Sequence, residues 1–251
     1  MTAPIIERFD ANVALQRWDD IPAADLESGT PLQNGHFYVN DEANGLTAGV
    51  WDCTAMTTVM APYSVNEFMI LLEGEVTMIE ASGRETTVRA GESFIIPKGL
   101  VCQWKQPGYL KKFFVIFDDK SGADPAGVAD FKVIKPDPQA ALTPADPPAA
   151  DTLLGPVPDW SDHTCFTDAT GQWTVGLWRS TAFHRKPGPI GRHELMHLLE
   201  GAVTLPDGKG GTRRFAAGDT LMAPLGAFYE WDSAEPVRKL YCSFTPNAAA
   251  E

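Results

Sequence analysis

The chain has 251 residues and is 44% apolar, enough for one large domain or two small ones with real cores. Its formal net charge of −13 argues against a nucleic-acid surface and against an anionic membrane partner, since both require a basic face. No apolar run approaches the ~20 residues of a membrane helix, and Cys53, Cys102, Cys165 and Cys242 show no C-x-x-C spacing for a zinc knuckle.

The opening MTAPIIERFDANVALQRWDD has neither the basic region nor the apolar stretch of a signal peptide. With free thiols expected, it points to a reduced, cytoplasmic protein. Frequent Gly and Pro punctuate short apolar runs, the pattern of an all-β protein. GEVTMIEASGRETTVRAGESFIIP (74–97) alternates apolar and polar residues and places Gly at turn positions, predicting several short strands. No amphipathic helix of any length is visible.

Farther along, the chain repeats itself at the offset of 127 that separates Glu67 from Glu194. YSVNEFMILLEGEVTM (63–78) lands on IGRHELMHLLEGAVTL (190–205), and GESFIIPKGLVCQWKQ (91–106) on GDTLMAPLGAFYEWDS (218–233). LKKFFVIF (110–117) lands on VRKLYCSF (237–244), Trp51 on Trp178 and His36 on His163. A period this long excludes a solenoid of small repeats and means two copies of one domain. The boundary is placed near residue 125, in DDKSGADPAG, giving domains 1–125 and 126–251. VALQRWDDIPAAD (13–25) resembles AALTPADPPAAD (140–151), so the Pro-rich stretch near 136–158 reads as the leading arm of the second copy, equivalent to residues 5–30 of the first.

Each copy carries E-x6-G (Glu67…Gly74, Glu194…Gly201) followed by G-x5-P-x-G (Gly91, Pro97, Gly99; Gly218, Pro224, Gly226). These motifs, in order and twice, resemble the cupin family. The resemblance implies an all-β fold of two tandem jelly-roll (RmlC-like) barrels, a bicupin spanning nearly the whole chain. The paired Trp51/Trp178, Trp104/Trp231 and Lys111-Lys112/Arg238-Lys239 are similar to the branch named after (S)-ureidoglycine aminohydrolase, which includes the ethanolamine-utilisation cupin. The family's metal site uses H-x-H before the motif Glu and a His in the second motif. Those places hold APYSVN and GPIGRH, and Cys102 and Tyr229. The manganese arrangement E-x-H-x3-H is missing too, its positions being Gly188, Ile190 and Glu194. The branch's activity is therefore not carried over, and no metal or other cofactor is expected.

Alternate residues of a strand share a face. With Glu67 and Glu194 inward, the first pocket offers Glu67 and Lys112 among Val65, Met69, Cys102, Trp104, Phe114 and Ile116. The second offers Arg192, Glu194, Tyr229, Lys239, Tyr241 and Ser243 beside Trp231. Glu194, Tyr229 and Lys239 are the candidate catalytic residues. Arg192, Trp231, Tyr241 and Ser243, with Glu67, Cys102, Trp104 and Lys112, are the candidate binding residues. In this reading Arg192 and Lys239 hold a substrate carboxylate, Glu194 or Tyr229 moves a proton, and Trp231 stacks on an apolar part. Each Glu–Lys couple reads equally well as a buried salt bridge that fixes strand register. Cys102 reads as a small apolar filler, with a thiol activated by Lys112 as the alternative.

His193 and His197 fall on the face opposite Glu194 and read as surface or interface residues; His36 and His163 read as structural. A metal set of His184, His193 and His197 requires a different strand register. Three functions follow: a metal-independent acid–base enzyme (isomerase, lyase or hydrolase) acting on a small polar or carboxylated metabolite, a binding or sensing module for a small acid or sugar, and a structural protein. The expected partner is a small-molecule ligand, with no nucleic acid and no membrane, and the chain is a monomer or homodimer.

Overall fold

The alternating patterns do become strands. The computed structural model describes residues 4–122 and 125–247, and among these only three short 3-10 turns interrupt an all-β chain. Two compact units result. The first holds Asp10–Lys135 and the turn Asp168–Thr170; the second holds residues 4–9, 136–167 and 171–247.

In the first unit one sheet runs Ser93–Ile96, Asn66–Glu73, Leu110–Phe117, Leu46–Cys53, Gln33–Asp41, Gln16–Arg17. The other runs Glu85–Arg89, Glu75–Glu80, Val101–Gln106, Met56–Thr58, Leu26–Ser28. Met69, Trp51 and Phe114 from the former meet Val76, Met78 and Trp104 from the latter in one apolar core, so the two sheets form a jelly-roll barrel. The second unit repeats the plan. Thr220–Ala223, His193–Glu200, Val237–Phe244, Trp173–Ser180 and Trp160–Thr167 lie side by side, and Phe183–His184, Asp232–Ser233, Ala202–Pro206 and Thr212–Ala216 form the facing sheet.

The motif glycines are explained by the turns they make. Gly74 (φ 79°) and Gly201 (φ 75°) sit in the left-handed region. A Cβ there would come within 2.2 Å of the Tyr109 carbonyl oxygen and 2.1 Å of the Pro236 carbonyl oxygen.

The arms hold one departure from the expected domain limits. Thr143–Pro144 pairs with Asp162 and Ser161, just as Gln16–Arg17 pairs with Gly35 and Asn34, so the Pro-rich stretch does match the start of the first copy. The residues just before each arm, however, are exchanged. Glu7 pairs with Met222 of the second barrel, and Ile134 bridges to Ile95 of the first. Arg8 is ion-paired with Asp219, and Lys135 with Glu92 at 2.7 Å. Every one of these partners differs by the same offset of 127. The division therefore falls after Lys135 rather than near 125, and residues 4–9 belong with the second barrel. The physical reason is edge protection: each arm covers the open side of a short edge strand.

Candidate functional site

The second barrel encloses a cavity of about 350 Å³. Its floor is built by neighbouring strands. Glu194 on His193–Glu200 lies beside Ser243 on Val237–Phe244, and Lys239, four residues from Ser243 on that strand, lies beside Trp178 on Trp173–Ser180. Because all point to the same face, the alternation that placed them together in the sequence places them together in space. Arg192, Glu194, Tyr229, Trp231, Lys239, Tyr241 and Ser243 all line this one cavity.

The centre is an ion cluster. Lys239 Nζ donates to Glu194 Oε1 at 2.6 Å, and Arg192 Nε donates to Glu194 Oε2 at 2.8 Å. Glu194 and Lys239 are buried, whereas the Arg192 side chain is 48% exposed. Lys239 also lies over the rings of Trp178 (4.6 Å) and Trp231 (5.1 Å), which favour its charge where water cannot. Burial pushes the Glu194 carboxyl up, but the Lys239 and Arg192 charges and hydrogen bonds outweigh it and hold the group at about 2. Burial lowers the Lys239 ammonium, opposed by Glu194. The Glu194 charge raises Arg192.

Two tyrosines complete the wall. Burial, then the Glu194 charge, pushes Tyr229 well above its ordinary value, so its hydroxyl stays protonated. Burial pushes Tyr241 up to about 12. The Tyr241 ring passes over Gly176, where a Cβ would meet its hydroxyl at 2.6 Å; only glycine leaves that space.

The cavity has further residues that the sequence reading did not reach: Trp160, Asp162, Phe183 and Arg185. Trp160 packs edge-to-face on Trp178 at 4.7 Å, and Phe183 stacks on Trp231 at 5.7 Å. Arg185 stands over the Tyr229 ring at 5.8 Å. The repeat offers a partial signal for two of these, because positions 160 and 162 correspond to Gln33 and Gly35 and so mark where the copies differ. Gln33 Oε1 accepts the Trp51 indole N–H at 2.8 Å. With Trp160 in that place, the buried Trp178 indole N–H has no acceptor among the described residues.

The first barrel buries Glu67, Lys112, Cys102 and Trp104 in its interior. Lys112 Nζ donates to Glu67 Oε1 at 2.7 Å and lies between Trp51 (4.7 Å) and Trp104 (4.8 Å). The second Glu67 oxygen accepts the Tyr63 hydroxyl, a neutral group in the role that Arg192 plays in the other copy. Cys102 and Trp104 belong to the apolar core. Burial pushes the Cys102 thiol up to about 12, which favours the filler reading over an activated thiol. Trp18 stacks on Phe37 at 4.8 Å and sits where Gly35 leaves room, its ring 2.1 Å from a would-be Cβ.

The EutQ-like cupin domain matches residues 41–114 and again 167–241, more than half of the chain. The chain belongs to the EutQ-like cupin family. As a bicupin it is similar to a solved DUF861-family protein of unknown function from Pseudomonas syringae pv. tomato, with 26% identity, 96% of this chain and 99% of that one covered, and a TM-score of 0.78. A putative dioxygenase from Nostoc punctiforme shares the fold at 11% identity, covering 98% and 85%, with a TM-score of 0.60. So does a putative glyoxylate-induced protein from Pseudomonas aeruginosa, at 12% identity, covering 100% and 93%, with a TM-score of 0.57. No curated protein matches the sequence.

The positions at which cupins hold a metal do not fit one in this bicupin. The Glu194 carboxylate is taken by Lys239 and Arg192, Tyr229 puts a phenol where the family has an imidazole, and Cys102 sits in the apolar core of the first barrel. The histidine alternative does not assemble. His184 Nε2 bonds Glu230 at 2.8 Å, His197 Nδ1 bonds Thr220 at 2.8 Å, and His193 packs against Phe244. Among the described residues no group of three or more His, Cys, Asp or Glu is placed to hold a metal. Among the described residues no helix is long and apolar enough to cross a membrane.

Proposed function

We propose that the second barrel of this bicupin is a metal-independent acid–base site for a small carboxylated metabolite, and that the first barrel is its closed, structural copy. The observation that carries this reading is the asymmetry of the ion cluster: Glu194 and Lys239 are buried, while Arg192 reaches into the cavity with half its side chain free. A ligand carboxylate competes with Glu194 for Arg192. As Arg192 turns to the ligand, Glu194 loses one of the two cations that hold its pKa near 2 and becomes a stronger base. Tyr229, kept protonated by its surroundings, faces the same space as the proton donor. Together they suit isomerisation, epimerisation or elimination next to a carboxylate, and Trp231 and Tyr241 wall the apolar part of the molecule.

The second reading is a binding or sensing module for a small acid, and the low pKa of Glu194 in the free protein favours it. One experiment separates the two. Small carboxylic acids are incubated with the protein in D2O and proton NMR follows exchange at the carbon beside the carboxylate. Exchange that disappears in Glu194→Gln while ligand-induced stabilisation remains supports the enzyme. Stabilisation without exchange in the wild type supports the binder, and the acid–base reading is then abandoned.

A further inference from the structure

We infer that Asp162 makes this cavity select a zwitterion, a small molecule carrying both a carboxylate and an ammonium group; the inference rests on the carboxylate-binding role just proposed for Arg192. Asp162 lines the cavity, half-buried, yet its carboxylate makes no hydrogen bond or ion pair among the described residues. Arg185 lines the same cavity, and among the described residues its guanidinium has only the Tyr229 ring beneath it. An ionised group held partly out of water without a partner is costly, so such groups persist where something else completes them. The fold does not require either charge. At the matching positions the first barrel has Gly35, covered by Trp18, and Thr58.

The charges are also sorted in space. Glu194 is consumed by Lys239 and shared with Arg192. That leaves two guanidinium groups on the cavity wall, Arg192 and Arg185, the latter over the Tyr229 ring, and one carboxylate, Asp162, on the Trp160–Thr167 strand. Asp162 lies directly across from Trp178 in the strand register, and Trp160 stands on its own strand two residues away, so two indoles flank the acid. Indole faces attract an ammonium group, and a carboxylate beside them adds a charge-assisted hydrogen bond. A plain acid would satisfy the arginines and leave Asp162 facing a like charge; a plain amine would face two guanidinium groups. A molecule with both groups satisfies each end, and about 350 Å³ admits only a small one.

The test uses matched pairs: glycine, β-alanine and γ-aminobutyrate against acetate, propionate and butyrate, titrated into the full chain by calorimetry. The expected result is that at least one amino acid binds tenfold or more tightly than its matched acid, as a charge-assisted contact predicts. Asp162→Asn then erases that preference while acid binding persists, and Arg192→Met weakens both series. Circular dichroism melting of each variant shows that the barrel is intact. Plain acids that bind as tightly as their amino counterparts, in wild type and Asp162→Asn alike, overturn the zwitterion and leave the carboxylate site standing. Failure of both series to bind the wild type overturns both.

Discussion

Gly35 and Asp162 occupy the same position in the two barrels, and only the first is roofed over, by the indole of Trp18. The aligned arm of the second copy has Ala145 in place of Trp18. The two copies thus differ in side chain at this pair of positions while the strand register stays the same.

Trp18→Ala removes this roof. The side chain is half-buried, so the cost falls below that of a fully buried tryptophan, about 2–3 kcal/mol. Urea unfolding followed by circular dichroism measures it. An unchanged midpoint would show that Trp18 does not close the first barrel.

Glu194 ties stability to acid pH. Its pKa is lowered from 4.5 to about 2 on folding, so the folded state gains about 3 kcal/mol above the unfolded pKa. That contribution is lost as pH falls through roughly 5 to 2, because the unfolded chain binds the proton first. Glu194→Gln should be less stable at neutral pH and flatter across this window. The check is a series of denaturant melts from pH 7 down to pH 3. Parallel curves for the two proteins would contradict the ion cluster.

The thiols should be inert in the folded protein. Burial pushes Cys53 and Cys165 up to about 11 and Cys102 to about 12, and raises Cys242 as well. At pH 8 a disulfide-exchange reagent should titrate none of them quickly, and all four after unfolding. Rapid labelling of Cys102 in the native state would revive it as a reactive group.

Much of this was legible in the sequence. The duplication and the cupin motifs carried the fold, and period-two alternation from Glu194 gathered seven residues that do line one cavity. That inference works because a continuous strand fixes which side chains are neighbours. Asp162 and Arg185 escaped it since no motif anchors the phase of their segments. Tyr63 escaped because it lies just before its strand, where alternation no longer applies. The exchange of arms was hidden for a related reason: the two-residue strand Glu7–Arg8 has no period to read, and its partners lie more than two hundred residues away.

That exchange bears on how the chain reaches its final state. The piece containing Ile6 and Phe9 is synthesised before the barrel in which both are buried exists, so it must wait, unsatisfied, until the far half emerges. The first barrel in turn is finished by Val133 and Ile134, from beyond the midpoint of the chain. A cut near residue 125 would take the Glu7–Arg8 strand from the second barrel and the Ile134 bridge from the first. Pairings across so long a loop are slow to form, and they make the last steps of folding a mutual event rather than two successive ones.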